Sequence, residues 1–461
     1  MRQEQWPPSH TVTQPFWWSL PPLPGRPAAL EALVEGEVVE TSHGPFFRRR
    51  TAYSLDTTYG GCRLGDFLGL QAQTAAALAR APELGQVTLE RMLFLDTETT
   101  GLAGGTGTYV FLVGLGYFLP AEPDGPARPS AAASPGGTGD PAGGASMVGA
   151  SMRFVLDQCL MRSYSEERAM LSWVAEHLEG FEALTTFNGR SFDIPLLQTR
   201  VLLSRLRLDF EEWPHFDLLH TARRLWRPAI GSCALQSLER HILGVGREDD
   251  VESFLIPAIY HQFLRDGDGR YLKKVFAHNE ADVLAMVAVA IRACLAFDCG
   301  TGQGRDGHAQ LSAAEYVGLG RVYEQLGNLE AAEGAYRAAL AGRLPAELRA
   351  RTLLTLAALL KRTRRHDEAA ALWELLAGEG GDVPAHAVTA LVELAKYWEH
   401  RRRDPLRAHA LTTQAMQRWL ASRRSVERPL PGLGRWRRAA PEPVAPDDFA
   451  RRLARLERKR G

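Results

Sequence analysis

Met92-Leu-Phe-Leu-Asp96-Thr-Glu98-Thr-Thr-Gly101 is the stretch from which the rest of the chain is read. An apolar run ends in two carboxylates at positions i and i+2. On a β-strand that spacing sends both side chains to one face. Side by side they repel, and a cation is the simplest compensation. Pairs of divalent metal ions held by such carboxylates cut or join phosphodiester bonds. Taken alone, the pair fits equally well a turn cap at Asp96 beside a solvated Glu98, so the choice rests on acidic residues further along the chain.

Around this stretch the pattern is that of a sheet. Met92 to Leu95 reads as a buried strand, Gly101 to Gly107 as a glycine-rich turn, and Tyr109 to Phe118 as a second apolar strand, together a hairpin. The turn is not a phosphate-binding loop, because no Lys-Ser/Thr follows it and it leads into a strand. Residues 120–151 are almost all Pro, Ala, Gly, Ser and Asp, a composition that buries too little to order itself, and read as a disordered insertion at a hairpin tip. Arg153 to Leu160 resumes the sheet. Ser165 to Leu178 has helical periodicity and opens with Ser and two Glu suited to a helix N-terminus. Ala183 to Phe187 is another short strand. Strands alternating with helices up to about Cys299 indicate an α/β layer fold.

Two further segments place acidic groups where a metal site needs them. In Leu184-Thr-Thr-Phe-Asn188-Gly-Arg-Ser-Phe192-Asp193-Ile-Pro195, Asn188 and Gly189 make a tight turn and Asp193 opens a helix whose first turn is fixed by Pro195. In Phe276-Ala-His278-Asn-Glu-Ala-Asp282, His278 and Asp282 are i and i+4 and share a helix face. An imidazole one turn from a metal-ligating carboxylate suits a general base that activates water. Glu280, two residues from His278, points elsewhere and reads as solvated. Asp217 reads either as a helix cap or as a support of the metal site. His215 and His220 lack partners at zinc spacing.

These three segments, in this order, resemble the exonuclease motifs of the DEDD 3′–5′ exonucleases, whose superfamily has an RNase H-like fold. More closely, residues from about Leu30 to Leu420 are similar to the bacterial YprB-like group of RNase H-like proteins, most strongly from Met92 to Ala290. The resemblance implies that Asp96, Glu98, Asp193 and Asp282 bind two Mg²⁺ or Mn²⁺ ions and that His278 orients or deprotonates the attacking water. It implies further that Thr97 or Thr99 touches the terminal nucleotide and that Asn188 and Phe192 line the 3′ end of a single-stranded DNA or RNA. One feature departs from the pattern: three residues separate His278 from Asp282, the spacing usual for a tyrosine in that motif.

Beyond a glycine-rich linker the pattern becomes purely helical. Tyr316, Leu319, Gly320, Tyr323, Gly327, Ala332, Tyr336 and Ala339 follow tetratricopeptide spacing, with a second unit around Leu353 to Leu376 and a third around Leu391 to Ala415. Such repeats form scaffold surfaces that recruit a protein partner. The expected organisation is a disordered N-terminus (1–27), an N-terminal extension (28–86), an RNase H-like exonuclease domain (87–298), a linker (299–310), an all-α tetratricopeptide-repeat domain (311–420) and a basic tail (421–461).

Whole-chain composition sets the outer limits. The 461 residues carry 54 Lys+Arg and 54 Asp+Glu, so net charge argues neither for nor against a polyanionic partner. The charge is uneven, however: the basic tail reads first as a solvated, poorly ordered end, and a nucleic-acid role is the alternative because Arg435, Arg437 and Arg438 flank Trp436. Five cysteines without a CxxC pair exclude a disulfide framework and a zinc knuckle and fit a reducing compartment. The N-terminus has no apolar core of a signal peptide, and the longest apolar run, Val283 to Ala290, is too short to span a bilayer. The expectation is a cytoplasmic nuclease away from membranes. The rivals are a nucleic-acid-binding protein with a weak or inactive RNase H-like domain, and a scaffold in which the repeats carry the function.

Overall fold

Nearly continuous apolar runs, buried on both faces, form the central strands of one mixed sheet. The structure, a computed structural model, describes residues 25–101, 106–120, 152–210, 213–300, 311–379, 384–426 and 446–459. The chain divides into two compact units: the described residues up to Thr221 with Cys233–Leu295, and Ala222–Ser232 with the described residues from Ala296 onward.

The first unit contains strands β1 (Glu37–Thr41), β2 (Gly44–Ser54), β3 (Thr58–Tyr59), β4 (Cys62–Arg63), β5 (Met92–Thr99), β6 (Val110–Pro120), β7 (Met152–Leu160), β8 (Ala183–Thr186) and β9 (His215–Asp217). Apart from the small β3–β4 pair they form a seven-stranded sheet in the order β1-β2-β7-β6-β5-β8-β9. β1, β2, β7, β6 and β5 run antiparallel to their neighbours, whereas β8 and β9 continue from β5 in parallel. The expected hairpin is β5 with β6. Residues 121–151 lie outside the described residues, but Pro120 and Met152 are paired across the β6–β7 ladder. β1 and β2 come from the stretch read as a packed extension and are instead strands of the main sheet. Phe46 and Phe47 alternate across β2, one against Trp173 and the other against Phe276.

Helices of this unit are α1 (Ala72–Ala79), α2 (Glu167–Leu178), α3 (Asp193–Leu203), α4 (Leu218–Leu225), α5 (Arg227–Ile230), α6 (Leu235–Leu238), α7 (Ile256–Asp266) and α8 (Gly269–Gly300), the fourth, fifth and eighth lying partly or wholly in the second unit. α2 and α7 cover one face of the sheet, with Tyr260 stacked on Phe111 at 4.0 Å. α8 covers the other and lies close because β6 carries Gly114 and Gly116 there. A Cβ on Gly114 would strike the Asn279 amide, and one on Gly116 would strike Val283. α8 also runs to Gly300, past the start of the expected linker. Residues 301–310 lie outside the described residues.

The second unit adds α9 (Ala313–Gln325), α10 (Leu329–Ala341), α11 (Ala346–Arg362), α12 (His366–Glu379), α13 (Pro384–His400), α14 (Pro405–Val426) and α15 (Pro446–Arg458). Ser312 and Glu315 cap α9 reciprocally, and Asn328 caps α10. Tyr336 fits against α9 where Gly320 has no side chain. The expected basic tail is read as a solvated end, yet its residues 446–458 form a helix that buries Phe449 and Leu456. The amphipathic spacing of those two residues was obscured by the surrounding arginines. Residues 1–24 and 427–445, including the Arg435–Arg438 cluster, lie outside the described residues. Among the described residues no helix is long and apolar enough to cross a membrane.

Candidate catalytic carboxylate cluster

The carboxylates meet at the carboxyl end of β5, where the sheet changes from antiparallel to parallel pairing. Asp96 stands opposite Gly114 on β6, and the register slips between Glu98 and Thr99. β8 runs parallel to β5, so the loop after it delivers Asp193 to the same end. Asn188 turns that loop with φ of 69°, a left-handed value that Asn tolerates. Asp217, at the end of β8's neighbour β9, accepts hydrogen bonds from the backbone N–H of Asn188 (3.0 Å), Arg190 (3.3 Å) and Leu219 (3.1 Å). Both of its readings have a bond behind them: the Leu219 N–H bond caps the start of α4, and the Asn188 and Arg190 bonds support the loop that carries Asp193. From the opposite face, α8 presents His278, Asn279 and Asp282.

Electrostatics bind the four acids into one group. Burial pushes Asp96 well above the usual carboxylate range, and the charges of Asp282 and Asp193 push it further. Glu98 is raised well above its ordinary value by burial and then by Asp96, Asp282 and Asp193. Asp193 is pushed up to about 6, mainly by burial, against the opposing Thr97 hydrogen bond. Three of the acids also have a neutral or cationic neighbour. The Thr97 hydroxyl donates to Asp193 at 2.5 Å and the Asn279 amide to Asp96 at 2.8 Å. Gln158 holds that amide in place, donating to its Oδ1 at 2.9 Å. Arg247 ion-pairs with Asp282 while also reaching Glu239 (2.8 Å) and Asp250 (3.2 Å).

His278 is buried, with Nδ1 2.8 Å from Asp250 Oδ1. Its Nε2 faces Asp282 Oδ2 at 3.6 Å and Ser253 Oγ at 3.4 Å. Burial works to raise Asp250, but the His278 hydrogen bond and the charges of His278 and Arg247 prevail and hold it below its usual value. Asp250 therefore fixes the ring and leaves Nε2 turned toward the acids, as outer-shell carboxylates do for functional imidazoles.

The structure gives the expected substrate contacts partners within the fold. The Thr97 hydroxyl donates to Asp193, and the Thr99 hydroxyl donates to the Gly101 carbonyl at 2.9 Å. Asn188 and Phe192 are half-buried on the loop that leads to Asp193. Glu280 is not simply solvated: it pairs with Arg49 at 2.5 Å and accepts from Tyr53. Sequence reading missed Arg247, Asp250 and Asn279. Arg247 and Asp250 sit in a charged loop whose spacing to α8 carries no periodic signal, and Asn279 lay inside a motif unweighed.

Among the described residues no three His, Cys, Asp or Glu side chains already stand as a coordination shell for a metal ion. Arg247, Asn279 and Thr97 each hold one of the acids. The donor set nevertheless fits a hard divalent cation. Its groups are all carboxylate oxygens, and they are like charges buried together, with Arg247 paired to Asp282. Residues 143–294 match the family model described as RNase_H superfamily. The matched region contains Asp193, His278 and Asp282 and begins after Asp96 and Glu98.

The first unit is thus an RNase H-like α/β domain, followed in the chain by an all-helical region. Over 326 residues the chain is similar to the uncharacterized protein YprB of Bacillus subtilis (strain 168), at 29% identity, a match that covers 70% of this chain and 69% of that protein.

Proposed function

We propose that the chain is a metal-dependent nuclease, a 3′–5′ exonuclease that hydrolyses phosphodiester bonds at single-stranded nucleic acid ends. The observation that carries this reading is the gathering of Asp96, Glu98, Asp193 and Asp282 from three distant segments into one buried, mutually repelling group. Folding alone disfavours such a group, so its return lies in what it binds. Asp96, Glu98, Asp193 and Asp282 would hold two Mg²⁺ or Mn²⁺ ions, which supply positive charge to a phosphodiester as its bond breaks.

The chain's own residues would do the rest. His278, oriented by Asp250, accepts at Nε2 the proton of the attacking water. With Nδ1–H donated to Asp250, the neutral ring has that nitrogen free. Asn279 fixes the Asp96 carboxylate, and Thr97 fixes Asp193. Arg247 holds Asp282 until a divalent cation competes for it. The helical region, read as a tetratricopeptide array, delivers the nuclease to its substrate or to a partner. End-labelled DNA and RNA oligonucleotides incubated with Mg²⁺ or Mn²⁺ test the reading. Shortening from the 3′ end by wild type, absent with Asp96→Ala, is the expected result. Equal digestion by both, or by neither, rejects it. Tight oligonucleotide binding without cleavage would favour the inactive-domain alternative, for which the unusual His278–Asp282 spacing is the motive.

A further inference from the structure

Two turns of the helical unit break a local folding rule in the same way. The α9–α10 turn places Gly327 in the left-handed conformation, at φ of 79°. The α11–α12 and α13–α14 turns place arginines there instead, Arg364 at 63° and Arg403 at 54°. An L side chain is strained in that conformation and glycine is not. Arginine offers the turn nothing that glycine lacks except a long cationic side chain. Strain kept at matching points of successive hairpins is a lead to function.

The surroundings supply the reason. Two cavities of about 440 and 400 Å³ adjoin at these turns and share His366 and Arg401. Their walls hold eight Lys and Arg side chains against three acidic ones, in a chain whose 54 basic and 54 acidic residues balance. Three distant segments build them: the α11–α12 turn, the end of α13, and α15, which brings Arg452 and Arg455. Six of the eight are paired: Arg365 with Glu333 at 2.5 Å, Arg402 with Asp367 at 3.0 Å, Lys361 and Lys396 with Glu393, and Arg452 and Arg455 with Glu399. Arg364 and Arg401 make no ion pair or side-chain hydrogen bond among the described residues. His366 lies below its ordinary value, through partial desolvation and then the charges of Arg401 and Lys361, which marks a local excess of positive charge.

We infer that this basic surface of the helical unit binds the phosphate backbone of a single-stranded nucleic acid. The inference stands apart from the nuclease reading. Trp373 and Tyr397 line the second cavity but are only 4% and 7% exposed, so they offer little surface to an apolar side chain of a peptide. What reaches solvent is cationic charge repeated from hairpin to hairpin, which suits a ligand whose negative charge also repeats.

The test uses the full-length chain in EDTA, where cleavage cannot intrude and where failure of the nuclease reading leaves the readout intact. Anisotropy of labelled single-stranded DNA and RNA oligonucleotides is followed across a salt series. Arg364→Glu/Arg401→Glu is expected to weaken binding about tenfold or more at low salt and to lower the slope of log affinity against log salt by roughly 1.5, as two lost phosphate contacts require. Arg364→Gly/Arg403→Gly relieves both strained turns, so it melts at or above the wild-type temperature and still binds several-fold more weakly. That variant keeps the test open should the first one fold poorly. Binding to either DNA or RNA supports the inference. Wild-type affinity and slope in both variants overturn it, as does tighter binding of a polyglutamate peptide than of either oligonucleotide.

Discussion

Two buried groups of carboxylates in this molecule are treated in opposite ways. In the helical unit, the Glu399 side chain is 1% exposed and is clasped by Arg455 at 2.8 Å, Lys459 at 2.9 Å and Arg452 at 3.2 Å. Burial works to raise it, and the hydrogen bonds from Lys459 and Arg455 outweigh burial and hold it below its usual value. At the end of β5 the balance is reversed. Asp96 and Glu98 are raised by burial and by the charges of the surrounding acids, with the Arg247 charge working against this at Asp96. A carboxylate serving the fold has its cations built in, whereas one serving binding is left short of them. That difference separates the structural acid from the functional ones more clearly than sequence motifs do.

The contrast breaks if removing an acid has the same consequence in both places. The largest expected effect is on hydrolysis: Asp96→Asn should lower cleavage of an end-labelled oligonucleotide by about 10³-fold or more, because the group acts as a unit. The same substitution should leave the metal-free chain as stable as wild type or more so, since it removes a repelled charge, and melting by circular dichroism measures this. Glu399→Ala should do the reverse. It leaves the buried Arg452 without its partner, while the half-exposed Arg455 and Lys459 turn to water, and costs about 1–3 kcal/mol, seen as early melting of helical signal with hydrolysis intact.

Acid pH sharpens the comparison, because the two groups carry opposite signs. A carboxylate raised in the folded state is destabilising above its folded value, and that cost disappears as pH falls and the group protonates. Metal-free wild type should therefore approach Asp96→Asn in melting temperature between pH 8 and pH 5. The depressed Glu399 contributes stability at neutral pH, lost as pH falls through its folded value below the usual glutamate range. His215, buried and pushed down to about 4, adds an acid-labile term to the first unit. It is neutral when folded, so its stabilising effect falls away from about pH 6.5 to about pH 4, by about 3 kcal/mol at most. The wild-type-minus-variant difference cancels this term. The smallest effect concerns the support of the acids. Gly114→Ala should push Asn279 off Asp96 and cost about 1–3 kcal/mol in overpacking, together with a partial loss of hydrolysis.

The sequence carried the parts of this picture that depend on neighbouring residues. The i and i+2 spacing in β5, the Asn188-Gly189 turn and the first-turn Pro195 each follow from local backbone rules, and the β5–β6 hairpin and the start of α3 lie where those rules put them. Sheet membership of β2 was hidden by Arg48-Arg49-Arg50, a charged run that masks the alternation of a strand edge. Those arginines are held by partners far along the chain, Arg49 by Glu280 and Arg50 by Asp157. Arg247 and Asp250 escaped for a related reason: their meaning lies in Asp282 and His278, and no local period connects a loop to a helix face. The commitment of the Thr97 hydroxyl to Asp193 likewise exists only once β5 and α3 are brought together.

The most direct test of the central claim is calorimetric titration of Mn²⁺ into the metal-free full-length chain, run beside Asp96→Asn and Asp193→Asn. The account predicts saturable binding of two ions per wild-type chain, with release of protons at pH 6–7 from the raised carboxylates, and loss of that binding in both variants. Heats that are absent, or that persist unchanged in the variants, would contradict it.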